Sequence, residues 1–478
     1  MPPSISNNAP EGEDIKTLSP FVVAVSPNDI GYYAENTLAG SRLNTSLADL
    51  AASITVVTRQ QMLDTAAIDM NDVFLYEANT EGTGNYTSFS YDSGGVIDNT
   101  ALQPQTANRV RGIGSVDRAR NFYASINTLP FDIYNTESVE INRGPNSLLF
   151  GLGSASGIVN QTTSSAQLNR RFAETSLRYG SENGYRASFR INQPVLPKRF
   201  ALFAAGLYNS SGFTRQPSYD ISRRAYLAAM AAPTRTTTIR ASYERYNGDR
   251  RPPNTVTPRD GITEWRNAGS PSWDPVTSTV TVRGASRAIA NLNFANVDGL
   301  VAFGSVPTLY YENGPKLYLQ LRTSTVGPLG AYNNTFGMVA SVTQIEKQQT
   351  TLPLYIVSGI TDRSLYDWTK VNVISGNVDR GDADIYNVEI DQKLAANLFL
   401  QGGWYREQYH RYRFAYNASS TIAIDPNTRL VDGSINPYFG KPYFQYSNAA
   451  DQNSEMRNDN LRLSAAYVVD FRRRPGSW

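Results

Sequence analysis

The side chains that could do chemistry in this chain are few, and most point away from catalysis. Gly151-Leu-Gly-Ser-Ala-Ser-Gly157 has nearly the glycine spacing that cradles a dinucleotide pyrophosphate. Such a loop must lead from a strand into a helix. Residues 158–162 (IVNQT), which follow it, read as a strand, so nucleotide binding is not expected. The chain has no cysteine and one histidine, His410, which excludes thiol nucleophiles, cysteine-held metals and any metal site built on a histidine pair. No G-x-S-x-G elbow occurs near the glycine-rich run, and His410 is too remote in sequence to suggest a serine's base. No catalytic residue, cofactor or metal is therefore expected.

Recognition by contact is what remains. Residues 81–95 (EGTGNYTSFSYDSGG) carry neither a helical nor a strand period, and long loops on compact domains often bind something. Asn85, Tyr86, Phe89 and Tyr91 are its candidate ligand contacts; a merely solvated excursion is the alternative. Trp265, Trp273, Tyr332, Tyr438, Phe439, Tyr443 and Phe444 lie in later irregular stretches, where they could stack on a ligand or pack the loops together.

The elements that would position these groups can be read in outline. Residues 53–57 (SITVV) form a strand, and Thr58 with Gln61 fits a capping box opening a helix over 60–63. Residues 69–77 predict a second helix with Met70, Val73 and Phe74 on one side. Arg109, Arg111 and Gly112 belong to a short strand over 109–114 that ends in glycines, and residues 138–143 (SVEINR) form another. Residues 1–16 are rich in Pro, Asn and acids without an apolar stretch, so they read as a flexible leader and not a signal peptide. Residues 18–25 (LSPFVVAV) are a lone β-prone segment. It either pairs within its own domain or is offered to another protein's sheet edge.

Composition narrows the class. With 44 basic and 42 acidic side chains the net charge is +2, which lacks the concentrated basic face of a nucleic-acid binder. No apolar run reaches the roughly 18 residues of a spanning helix, and mean hydropathy is −0.39. Spanning strands are still allowed, because their alternating signal averages away. The 29 tyrosines and a charged fraction of 18%, below the usual quarter, suit many-stranded β structure with aromatic girdles.

One run is specific enough to carry a resemblance. Val139-Glu-Ile-Asn-Arg-Gly-Pro-Asn-Ser-Leu-Leu-Phe-Gly-Leu-Gly-Ser-Ala-Ser-Gly-Ile-Val-Asn160 resembles the end of the plug domain of TonB-dependent outer-membrane receptors. It has, in order, that family's strand, Arg-Gly-Pro, helical turn, aromatic-Gly pair, small-residue loop and Gly-Ile-Val-Asn strand. The 53–57 strand with its helices and the 109–114 strand match earlier plug elements. Asn127-Thr-Leu-Pro130 stands where the family usually has an Asp-Gly turn. The resemblance implies an α+β plug, a small mixed sheet with short helices, followed by antiparallel transmembrane β-barrel strands. It implies that Ser19, Pro20, Phe21, Val22, Val23, Ala24 and Val25 are a TonB box, the strand paired by TonB. Arg109, Arg111 and Arg143 would anchor the plug to acids inside the barrel wall, while Gly112, Gly144, Pro145, Gly151 and Gly157 shape its backbone.

From residue 170 the period changes to strand-like alternation. Tyr185, Ala187, Phe189 and Ile191 alternate with Arg186, Ser188, Arg190 and Asn192, and similar stretches begin near 175, 200, 225, 238, 386, 398 and 461. Spanning strands alternate this way, but so do soluble β-sandwiches. Residues 247–274, 323–334 and 417–448 are longer irregular stretches rich in Pro, Asn, Tyr and Gly, which in an outer-membrane barrel would be the extracellular loops. About 310 residues follow the plug, and plugged transporters of about 22 strands need roughly 220 for strands alone. Ten to twelve strands can be traced, and Pro475 and Gly476 suit a final strand poorly. The sequence therefore predicts a leader over 1–17, a TonB box over 18–26, a plug over 27–165 and an incomplete barrel over 170–478.

The family's partners are TonB, an extracellular small-molecule ligand and outer-membrane lipid; no nucleic acid is expected. Its members import a scarce solute, most often a ferric siderophore, with cobalamin or oligosaccharides as others. The competing function is a secreted or surface β-rich carbohydrate-binding or adhesion protein without transport.

Overall fold

The computed structural model describes residues 20–21, 31–40, 42–82, 108–113, 116–144, 154–254, 360–418 and 446–469, with short pieces of 259–320 and 421–443. Two strands, β1 (Asn36–Thr37) and β2 (Thr45–Ser46), pair antiparallel to make a strap ahead of the first domain. β3 (Ile54–Thr58) runs into α1 (Arg59–Asp64), and α2 (Met70–Phe74) follows after a short turn. β4 (Asp117–Arg120) and β5 (Tyr123–Ala124) form a tight hairpin, and β6 (Thr136–Asn142) and β7 (Ile158–Thr163) complete a mixed sheet of order β3-β6-β7-β4-β5.

Local chemistry explains both helices. Thr58 Oγ1 accepts from Gln61 N at 3.2 Å, satisfying one of the free N–H groups at the start of α1. The Gln61 side chain donates to Glu77 at 3.1 Å, so only half of the expected box forms there. The full reciprocal box occurs on α2, where Asp69 accepts from Asn71 N and Asp72 N while Asp72 accepts from Asp69 N. Val57, Val139, Ile141 and Val159 point to one sheet face and bury there against Met62, Met70, Val73 and Phe74. Each such side chain contributes roughly 2 kcal/mol of transfer free energy. Gly157 closes the β6–β7 junction. At φ +122° its missing Cβ would stand 2.2 Å from Asn142 O, so no other residue fits without moving the strand.

The second unit is an eight-stranded antiparallel sheet in strict chain order. Its strands are β8 (Phe172–Tyr179), β9 (Tyr185–Leu196), β10 (Phe200–Gly212), β11 (Tyr219–Ala231), β12 (Thr237–Arg251), β13 (Val378–Ala395), β14 (Leu398–Ala418) and β15 (Tyr446–Tyr467). Among the described residues β8 and β15 are not paired with each other, so the wall is open. Residues 197–199, 232–236 and 396–397 are tight turns at one end; Arg251, Val378, Ala418 and Tyr446, where the wall strands enter or leave the long connections, lie at the other. Of the ten to twelve strands expected, eight form the wall among the described residues.

Alternation along the wall sorts its faces. Phe203, Ala205, Tyr226, Ala228, Tyr405 and Tyr409 are buried on the inside, whereas Leu177, Phe189, Ile191, Leu227, Leu461 and Leu463 are exposed on the outside. A soluble sandwich would cover that outer face with a second sheet. On the outside toward the long loops the apolar residues give way to stacked aromatics, Tyr185 with Tyr208 and Tyr243 with Tyr386 and Trp404. Beyond them come ion pairs, Arg245 with Asp382 and Asp384, and Arg406 with Asp459. An apolar band bounded by aromatics is the pattern of a strand wall facing lipid. No helix of the described residues is long and apolar enough to cross a membrane.

Candidate functional site: a plug locked to the inner wall

The first domain sits against the inside of the strand wall through buried charge. Arg120 on β4 donates to Glu244 on β12, which also accepts from Asn135 Nδ2 at 3.0 Å and from Arg224 Nη1 at 3.0 Å. Arg224 Nη2 donates to Pro130 O at 2.6 Å, tying the wall back to the plug. Burial alone would lower the Arg120 guanidinium, but Glu244 beside it holds its pKa above the ordinary value. Arg118, two residues earlier on the same strand, donates to Leu129 O at 2.8 Å. Burial brings it down to about 10, with Asp69 offsetting only part of the loss.

Three more contacts extend this lock. Arg186 on β9 forms a bidentate pair with Asp132 at 2.9 and 2.6 Å. Arg190 bonds Glu137 and donates to Ser164 Oγ at 2.7 Å. Glu407 on β14 accepts from Ser125 Oγ at 2.6 Å and Ile126 N at 2.7 Å. The β4–β5 hairpin tip is clamped as well. Tyr123 stacks on Tyr405 at 5.1 Å, and Arg462 of β15 lies over the Tyr123 ring at 4.0 Å while donating to Phe122 O at 3.2 Å.

Of the arginines that the sequence favours for this anchoring, Arg143 makes its contacts inside the plug. Arg143 bonds Ala78 O at 3.0 Å and pairs with Glu77 at 3.6 Å, both within the plug, so it braces β6 against the α2 end and not against the wall. Arg109 is exposed, and the Arg111 side chain lies beside Gly144, 3.6 Å from where a Cβ would be. The anchors that do reach the wall were missed because Arg120 sits in DRAR without a motif around it. Their sequence signal was alternation: Arg186, Arg190, Arg224 and Glu244 occupy inward positions of strands whose outward positions are apolar.

Loop-ward of the lock, the inner wall carries a patch of tyrosine and arginine. Tyr246 and Tyr409 lie 6.4 Å apart over the bare backbones of Gly248 and Gly381, where a Cβ would collide with each ring. Arg411 is bidentate to Asp379 at 2.9 and 2.7 Å, and Arg250 lies 3.7 Å from the same carboxylate. Two cations thus share one anion, and the surroundings are aromatic. Tyr246, Tyr409, Arg250 and Asp379 are all buried, so in this state the group packs the inner wall.

At the opposite, short-turn end, Phe21 is buried against Phe399, Ala466 and Leu43. Asn44 N donates to Pro20 O at 2.7 Å. Ser19, Val22, Val23, Ala24 and Val25 lie outside the described residues, as do Asn85, Tyr86, Phe89, Tyr91, Pro145, Gly151, Trp265, Tyr332 and Phe444. Of the other loop aromatics, Phe439 is exposed and Tyr438 stacks under Lys441 at 5.2 Å. Gly112 and Gly144 adopt φ +66° and +127°.

Comparisons with known proteins agree with this geometry. Residues 46–158 match the family model described as the TonB-dependent Receptor Plug Domain. The fold resembles the closed form of the ferric-catecholate import receptor Fiu from K12 E. coli, at 12% identity over 92% of this chain and 47% of that one, with TM-score 0.57. It also resembles the siderophore receptor PiuA from Acinetobacter baumannii, at 13% identity over 92% of this chain and 46% of that one, with TM-score 0.51. The chain spans about half the length of these solved receptors.

Proposed function

We propose that this chain, a TonB-dependent receptor by its plug domain and strand wall, serves outer-membrane import of a scarce solute, with a ferric siderophore as the favoured cargo. The observation that carries the reading is the position of the plug. It is ion-paired to the inner wall through Glu244 and Asp132 and hydrogen-bonded to Glu407, with a Tyr/Arg patch on its loop side and Pro20–Phe21 docked on its short-turn side. A ligand arriving from the loops would meet the 81–95 loop of Asn85, Tyr86, Phe89 and Tyr91 first, and the buried Tyr246, Tyr409, Arg250 and Arg411 only once the plug moves. TonB would pair with residues 19–25 from the other side, and the energy it delivers would displace part of the plug.

No covalent step is needed. Ferric siderophores present anionic oxygens and flat conjugated rings, which the two arginines and the two tyrosines would meet by charge and stacking. Cobalamin and oligosaccharides lack that anionic chelate, and the arginines speak for the siderophore. The test is uptake of radioactive iron, supplied as a ferric catecholate, by Gram-negative cells expressing the full reading frame. Uptake that exceeds the empty-vector control and collapses with a protonophore supports import. Equal uptake with and without the protein refutes it.

A further inference from the structure

The sheet face turned away from α1 and α2 carries one carboxylic acid at its centre. Glu140 lies in the middle of β6, between Val56 of β3 and Asn160 of β7, and only 3% of it is exposed. The strap covers it: Thr37 of β1 is fully buried with its hydroxyl at the Glu140 carboxyl, and Ala39 is buried beside it. Asn160 Nδ2 donates to Glu140 Oε2 at 3.3 Å, and Asn160 is itself held by accepting from Phe122 N at 2.8 Å. Both partners of the carboxyl are uncharged.

The charged groups on the elements around it are committed elsewhere. Arg118 and Arg120 of β4 project to the opposite face, toward Leu129 O and Glu244. Asp117 accepts from Asn127 Nδ2 and Ser154 N. Glu137 on the same strand is taken by Arg190 and Ser164. On the strap, Arg42 lies by Tyr123 and Arg462, and Glu35 stands at its start, where its carbonyl accepts from Leu47 N at 2.9 Å. β3 has no charged residue. Among the described residues no cation faces Glu140.

We propose that Glu140 is a proton-operated latch for the strap: neutral, it holds β1 and β2 on the plug sheet, and ionised, it drives them off. An ionised carboxylate buried without a cation is strongly disfavoured, whereas the neutral acid needs only the hydrogen bonds present. Burial raises the group from 4.5 to about 8, although Asn160 and Thr37 pull the other way. Once the strap lifts, water reaches the carboxyl and its pKa returns toward the ordinary value. The docked state is therefore fully favoured below about 4.5 and loses ground as pH rises, until the effect levels off above about 8. One proton is linked to the opening, so the open-to-docked ratio rises up to about tenfold per pH unit between those limits. Asn44 N, next to β2, donates to Pro20 O at 2.7 Å, so release of the strap would loosen the N-terminal segment too. The inference needs neither ligand nor TonB and stands apart from the import reading.

The absence of native cysteine allows a clean test. A nitroxide is attached at N44C, an exposed strap position, in the full chain purified in detergent, and its mobile fraction is followed by electron paramagnetic resonance from pH 5 to 9. The mobile-to-immobile ratio should climb at least tenfold across that range in the parent and stay flat in E140Q. A flat parent curve, or the same climb in E140Q, would overturn the latch. If E140Q does not fold, Glu140→Asp, one methylene short of the strap, takes its place. Its label should then be mobile already at pH 5, and a curve matching the parent's would equally overturn the proposal.

Discussion

Arg120 of the plug donates to Glu244 of the wall across 124 residues of sequence, and both side chains are buried. Because Arg224 and Asn135 bond the same carboxylate, Glu244 is the common acceptor for two arginines, one from each unit. Losing it would leave two cations buried without an anion.

Glu244→Ala should accordingly destabilise the folded chain by about 3–5 kcal/mol, and Glu244→Gln by less, since the amide oxygen still accepts. Replacing the whole set together (Arg120→Met, Arg224→Met, Glu244→Leu) should recover most of the loss, because no orphaned charge is left. Chemical denaturation in detergent measures all three. A Glu244→Ala variant as stable as the parent would mean that the plug is not held here.

A second prediction uses adjacent glycines on β14. A Cβ at Gly403 would stand 1.9 Å from the Tyr123 hydroxyl of the plug, while one at Gly402 meets nothing within 4 Å. Gly403→Val should wedge the β4–β5 hairpin off the wall at a cost of about 1–3 kcal/mol, and Gly402→Ala should be close to neutral. Hydrogen exchange of the Phe122 and Tyr123 amides reads the difference. Equal protection in both variants would contradict the seating of Tyr123.

How much of this was legible beforehand depended on whether neighbours or only the chain itself set the signal. The plug's β3, β6 and β7 and its two helices were readable because Val57, Val139, Ile141, Met70, Val73 and Phe74 keep strict strand or helix periods. The wall strands were found but cut short. Residues 200–208 extend to Gly212, and 386–391 is the middle of an element starting at Val378. The missing ends are polar, residues 209–212 on β10 and a stretch with outward Asp382 and Asp384 on β13, so the alternation that marks a spanning strand disappears. Arg143 pairs with the local Glu77, and only the folded sheet shows that Arg120 is the arginine that reaches Glu244. Glu140 was read simply as part of a strand, since nothing in SVEINR reveals that a strap would cover it.

The 81–95 loop gives the third prediction. If Tyr86 and Tyr91 contact cargo, replacing both with Ala should weaken binding of a ferric catecholate to the purified protein by about tenfold or more, each lost aromatic contact being worth about 0.5–1.5 kcal/mol. Fluorescence quenching titration measures it. Unchanged affinity would contradict a ligand role for this loop.

The most direct test concerns the N-terminal strand. Proline at position 22 has no N–H to offer a partner strand and resists the ladder. In the full reading frame, Val22→Pro should abolish energised uptake of ferric siderophore while leaving the affinity of the purified receptor unchanged. Loss of affinity in step with uptake, or normal uptake, would contradict the account of residues 19–25 as the segment through which TonB drives the plug.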